Sequence, residues 1–230
     1  MLLSDRRLEI EERAQALRFE IYDQRQWIWP DRNPRGLDVA DPQIAAQVLG
    51  INFEYLEEIG FSIPSQKFET AGLLDRRKGK IVVARKYGPQ VMRFTAGHEL
   101  GHWVLHETDI TQHRDLPIKG LERETSDPLE READHFAACF LMPRKYVADQ
   151  FKARFLCDGQ FVFDENSAHF LRPYDVGSLL YPARNSLMRE IVLASAKSYT
   201  GRHFDSLATL FKVSIETMAI RIKELGLVRP

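Results

Sequence analysis

The stretch that decides how this chain is read is Pro89-Gln90-Val91-Met92-Arg93-Phe94-Thr95-Ala96-Gly97-His98-Glu99-Leu100-Gly101-His102-Trp103-Val104-Leu105-His106. Proline suits the first turn of a helix, where its missing N–H has no intrahelical partner, so a helix is expected from about Gln90 to Glu107. His98 and His102 are four apart and stack on one face, where both imidazoles can reach a single ion. Glu99 follows His98 but is turned by roughly 100° around the axis. Its carboxylate is thereby placed beside the ion without filling a ligand position. Two imidazoles and one carboxylate leave a zinc position for water, and an adjacent glutamate can take that water's proton. Composition alone yields such a five-residue match in about one chain of this length in a hundred. Gly97 and Gly101 each cost the helix about 1 kcal/mol relative to alanine, which points to something packed closely against it.

A third ligand is then needed. His106 lies about 12 Å along the helix axis from His98, too far to share the ion, and reads as a packed or surface histidine. Position 108, where a further histidine would serve, is Thr108. A second helix, from Pro128 to about Met142, carries Glu130-Arg131-Glu132-Ala133-Asp134-His135-Phe136-Ala137-Ala138, with Leu129, Ala133, Phe136, Phe140 and Leu141 as its apolar face. Glu130 can bind the metal while Asp134 accepts the spare N–H of a ligating histidine. Asp127 followed by Glu130 is also a capping-box pattern, in which case Glu132 is the ligand, with His135 a third candidate.

Working outward, residues 4–25 read as an amphipathic helix with Leu8, Ile10, Ala14, Leu17, Phe19 and Ile21 at roughly helical spacing. Asp31 to Asp41 is a loop, and Pro42 to Leu49 a short helix ended by Gly50. Strands are expected at Ile51–Tyr55, Glu69–Leu74 and Lys80–Arg85, the last two joined as a hairpin by Asp75–Gly79. Residues 107–127 read as a loop, and 150–186 as an irregular insertion or linker. Phe204–Val213, Ser214 and Ile215–Leu225 read as helix, tight turn, helix. The fold class is therefore α+β, with a small sheet and helices carrying the site at 1–186 and a helical segment at 187–230.

Bulk composition sets limits. The chain has 230 residues, 44% apolar and 28% charged, with net charge −1, which gives no general attraction to nucleic acid or anionic membrane. Its two cysteines, Cys139 and Cys157, lack a CxxC spacing and read as core thiols in a reducing compartment. The charged N-terminus (Asp5, Arg6, Arg7, Glu9, Glu11, Glu12, Arg13) lacks the apolar run of a secretory signal, so a soluble, cytoplasmic protein is expected.

Arg93 to His106, joined by Glu130 to Ala138 and by Leu141-Met142-Pro143, resembles the ImmA/IrrE family of metallo-endopeptidases. The resemblance covers most of residues 1–150 and departs at Gly97, where alanine commonly precedes the first histidine. It implies a zincin-like, thermolysin-type arrangement with Glu99 as general base, His98, His102 and Glu130 on one Zn2+, and Asp134 behind them. Mn2+ or Fe2+ suits the same donors. It further implies a protein substrate, a helix-turn-helix repressor of the XRE type, whose cleavage releases stress or mobile-element genes. In zincins the substrate commonly adds as a strand beside the metal helix, and Lys80–Arg85 is the candidate here. The C-terminal pair resembles a helix-turn-helix, as in many relatives. From Lys197 to Pro230 there are only six Lys/Arg against three Asp/Glu, Lys212 stands where a DNA reader often has glycine, and Arg221 replaces an expected apolar residue. A packing or substrate-docking role is preferred over direct DNA binding. The competing reading is a DNA-binding or protein-interaction regulator that keeps the metallopeptidase fold.

Overall fold

The N-terminal periodicity forms helix α1 (Ser4–Asp23), which buries Ile10, Ala14, Leu17 and Ile21. Leu8 and Phe19, read as part of the same stripe, lie off this 4-3-4 spacing and are 57% and 59% exposed. In a computed structural model, which describes residues 4–63, 66–107, 112–114 and 127–229, the chain divides into two compact units, Met1–Leu141 and Met142–Pro230. The division falls well before residue 186, where the sequence had suggested a boundary.

In the first unit α1 is followed by the one-turn helix α2 (Arg25–Ile28) and by α3 (Pro42–Val48). Asp41 caps α3 by accepting from the backbone N–H of Gln43 and Ile44, and Gly50 leaves it at φ +69°. Five strands follow: β1 (Asn52–Leu56), β2 (Ile59–Ile63), β3 (Gln66–Thr70), β4 (Gly72–Asp75) and β5 (Lys80–Ala84). The expected strand at Glu69–Leu74 is thus split, its first residues ending β3 and the rest forming β4. β2 and β3 pair as an antiparallel hairpin that no sequence signal had suggested. β4 and β5 form the expected hairpin, turned at Gly79 with φ +57°.

Helix α4 (Pro89–Leu105), strand β6 (Gln112–Arg114) and helix α5 (Pro128–Leu141) complete the unit. The sheet order is β1-β5-β4-β6, with β1 parallel to β5. β6 lies within the expected loop at 107–127, most of which is outside the described residues. β5 is therefore an inner strand, with Ile81, Val82, Val83 and Ala84 all buried. Its backbone groups are engaged by β1 on one side and β4 on the other, so Lys80–Arg85 cannot receive a substrate strand, contrary to the sequence expectation. The two long helices approach closely at glycine: a Cβ at Gly101 would lie 2.9 Å from the Ala133 backbone, and one at Gly97 would lie 3.3 Å from the Ala137 Cβ.

The second unit contains α6 (Arg144–Phe155), α7 (Glu165–Leu171), α8 (Val176–Leu180), α9 (Met188–Ser195), the short hairpin β7 (Ser198–Tyr199) and β8 (Arg202–His203), α10 (Leu207–Phe211) and α11 (Ile215–Glu224). About half of residues 150–186 are thus helical. Phe151, Phe155, Phe161 and Tyr199 pack edge-on and tilted at centroid distances of 4.9–6.4 Å. Ser206 and Ser214 cap α10 and α11, and Lys212 ends α10 in the left-handed region at φ 55°. Among the described residues, no helix is long and apolar enough to cross a membrane.

Candidate metal centre

α4 crosses α5 with its glycine face, which brings His98 and His102 against the first turn of α5. His98 Nε2 and His102 Nε2 are 3.0 Å apart. Glu130 reaches both, Oε2 to His98 Nε2 at 3.2 Å and Oε1 to His102 Nε2 at 3.1 Å. Donors held at about 2.0–2.1 Å by one tetrahedral zinc would sit roughly 3.4 Å apart, so the three atoms already stand near the separation that an ion needs. Among the described residues this is the group of three that could hold a metal ion.

The protonation states suit a cation. Burial pushes the Glu130 carboxyl up, but hydrogen bonds from His102 and His98 outweigh it and hold the group well below the ordinary carboxylate range. Burial lowers His102, and the contact with Glu130 offsets this only in part, so the imidazole is neutral near pH 7. Neutral imidazole and ionised carboxylate are the forms that bind metal.

Around these donors lie further contacts. His98 Nδ1 is 2.8 Å from Asp134 Oδ1, the place expected of Asp134. Asp127 caps α5 alone, accepting from Leu129 N–H at 2.9 Å, while the Glu130 side chain turns to the histidines. Glu132 faces away, bonded to Arg6 and 3.3 Å from His106 Nε2, and so is not placed as a ligand. His135 is also elsewhere, buried with Nε2 3.6 Å from Cys139 Sγ. Glu99 is fully buried beside the pair. A Cβ on Gly72 of β4 would lie 2.6 Å from Glu99 Oε1 and 2.5 Å from Thr95 Cγ2, so this strand position has room for the carboxylate only because it is glycine.

Sequence reasoning passed over two parts of this site, Gly72 and Arg76. Gly72 carried a signal, since glycine inside a strand often marks close approach. His106, read from the sequence as a packed or surface histidine outside the ligand set, is buried, with its Nδ1 3.0 Å from that of His102. Arg76 had no local signal. From the β4–β5 turn its Nη2 reaches the carbonyl oxygens of His102 and Trp103 at 3.0 and 2.7 Å, and its guanidinium lies 4.5 Å from the Trp103 ring centroid. It thereby tethers the C-terminal end of α4, where cations are favoured.

A His/His/Glu cluster across two helices, its histidines buried and its carboxylate partly so, with a further glutamate next to the first histidine, is the side-chain set of a metallopeptidase. The comparison with known families agrees: residues 56–156 match the Peptidase_M78 family model, described as the IrrE N-terminal-like domain. Over these residues the chain is similar to the IrrE N-terminal-like domain of that peptidase family. The match includes both helices of the cluster and runs on into α6. No curated protein matches the chain.

Proposed function

We propose that the chain is a zinc-dependent endopeptidase with a zincin-like site, acting in the cytoplasm and making a site-specific cut in a helix-turn-helix repressor of the XRE type. The observation that carries the reading is the convergence of His98, His102 and Glu130 within 4.8 Å of one another, with Glu99 buried alongside. Held by these three side chains, zinc would polarise a peptide carbonyl and lower the pKa of water toward about 7; manganese or iron suits the same donors. Glu99 takes the proton from the attacking water and delivers it to the departing amine. Asp134 keeps the His98 ring oriented by accepting from Nδ1. A purely structural zinc site usually has four protein ligands and no use for a general base, which favours catalysis over a regulator retaining the fold.

The α10–α11 pair supports a packing or docking role rather than DNA reading. Arg221, one of its few cations, is 2% exposed, with Nε 3.2 Å from the Met142 carbonyl and Nη1 3.2 Å from Glu224. The first turn of α11, where a recognition helix meets bases, presents Glu216. The test is metal content and cleavage together. About one zinc per chain is expected, lost in His98→Ala and Glu130→Gln, with a single new fragment pair when an XRE-type repressor is added. No metal after zinc loading would refute the peptidase reading.

A further inference from the structure

His106 has no place in the cluster of three, yet it is only 6% exposed and both of its ring nitrogens are engaged. His102 points Nε2 at Glu130 and His98, and its other nitrogen, Nδ1, is 3.0 Å from His106 Nδ1. His106 Nε2 is 3.3 Å from Glu132 Oε2, and the same oxygen accepts from Arg6 Nη2. Tautomer logic orders these contacts. An imidazole that offers its Nε2 lone pair to a cation carries its proton on Nδ1. That proton must be donated, so His106 Nδ1 is the acceptor. The proton of His106 then sits on Nε2, where Glu132 accepts it. Each hydrogen bond fixes the direction of the next, and the line ends on a guanidinium of α1. His98, by contrast, is oriented by Asp134 directly. The backbone beneath both rings is tied as well, because Arg76 Nη2 reaches the carbonyl oxygens of His102 and His106 at 3.0 and 2.5 Å.

We propose that His106 is a positioning residue that, with Glu132 and Arg6, sets the tautomer and ring plane of His102 and so links helix α1 to the metal-binding cluster. The inference deepens the proposed function and rests on it in that His102 binds an ion through Nε2. A histidine that merely filled space would need no acceptor on one side and no carboxylate on the other.

The test measures zinc affinity of the full chain by competition with a chromophoric chelator, in wild type, His106→Ala, His106→Asn, Glu132→Gln, Arg6→Met and the double variant Arg6→Met/His106→Ala. Loss of a partner behind a ligand typically weakens metal binding about 10- to 100-fold, and His106→Ala should fall in that range. His106→Asn, whose side-chain oxygen can accept near the place of Nδ1, should recover part of the loss. Glu132→Gln, which keeps its size, should weaken binding less than His106→Ala. Arg6→Met should weaken binding in the wild-type background and change nothing further in His106→Ala, because its effect passes through that ring. Unfolding of the metal-free forms is followed alongside. A lower melting temperature with unchanged zinc affinity, or additive effects of Arg6→Met and His106→Ala, would overturn the proposal. Wild type that binds no zinc would remove the peptidase reading too, whereas equal affinity of wild type and His106→Ala would remove this inference alone.

Discussion

Gly72→Ala separates the acid–base machinery from metal binding. The backbone of Gly72 is not in the left-handed region, so alanine is conformationally acceptable there. What changes is space: the new methyl would stand 2.5 Å from Thr95 Cγ2, 2.6 Å from Glu99 Oε1 and 3.2 Å from Glu99 Cδ. Ordinary contact between carbon atoms is about 3.5–4.0 Å, so the Glu99 carboxylate and the Thr95 methyl must each retreat by roughly 1 Å. Overpacking of this kind costs about 1–3 kcal/mol of stability. Misplacing a reacting group by about 1 Å can cost a factor of about 100 in rate. The three atoms nearest the methyl belong to Thr95 and Glu99 and none to His98, His102 or Glu130, so zinc affinity should hold. The assay is cleavage by the zinc-loaded variant at a temperature well below its melting point, with chelator competition in parallel. Expected is kcat lower by about 100-fold at unchanged zinc affinity. Wild-type turnover by Gly72→Ala would refute the placement of Glu99 over this strand.

Three further outcomes follow from the geometry. Gly101→Ala would set a methyl 2.9 Å from the Ala133 Cα and carbonyl oxygen, which are backbone and cannot swing aside. It should destabilise by about 1–3 kcal/mol despite better helix propensity, and weaken zinc binding as Glu130 is carried away; a rise in melting temperature would contradict the close packing of α4 on α5. In the metal-free protein, burial holds His102 and His106 below the ordinary imidazole pKa. The unfolded chain takes up these protons below about pH 6.5 before the folded one does, so apoprotein stability should fall as pH drops below that point, and a flat melting profile across that range would count against neutral buried rings. Finally, duplex DNA should produce no salt-dependent mobility shift, since Arg221 is buried and Glu216 leads α11; a shift lost on adding salt would restore the DNA-binding reading.

What the sequence disclosed, and what it withheld, divides along the range of the interactions. His98, Glu99 and His102 were legible because their relation is set within one helix by its period. Glu130 was legible only as a candidate, because the same residue fits a helix cap, and the choice depends on how α5 is laid across α4. That crossing was hinted at by Gly97 and Gly101, whose missing side chains do let the helices meet. The place of β5 was misread because hairpin partners are local while the parallel pairing of β1 with β5 brings together segments far apart in the chain. Residues 150–186 resisted reading because α7 and α8 span seven and five residues, too short to display a helical period, and their surroundings are held by an aromatic cluster assembled from several elements. Arg6 and Glu132 lie 126 positions apart, and nothing local announces their contact through to His106.

The central claim is that Glu99 acts as general base beside an ion held by His98, His102 and Glu130. It is tested most directly by zinc-loaded Glu99→Gln, assayed for both metal content and repressor cleavage against wild type. The account predicts about one zinc per chain in both proteins, with cleavage by the variant reduced at least about 100-fold. Wild-type cleavage by a metal-replete Glu99→Gln protein would contradict it.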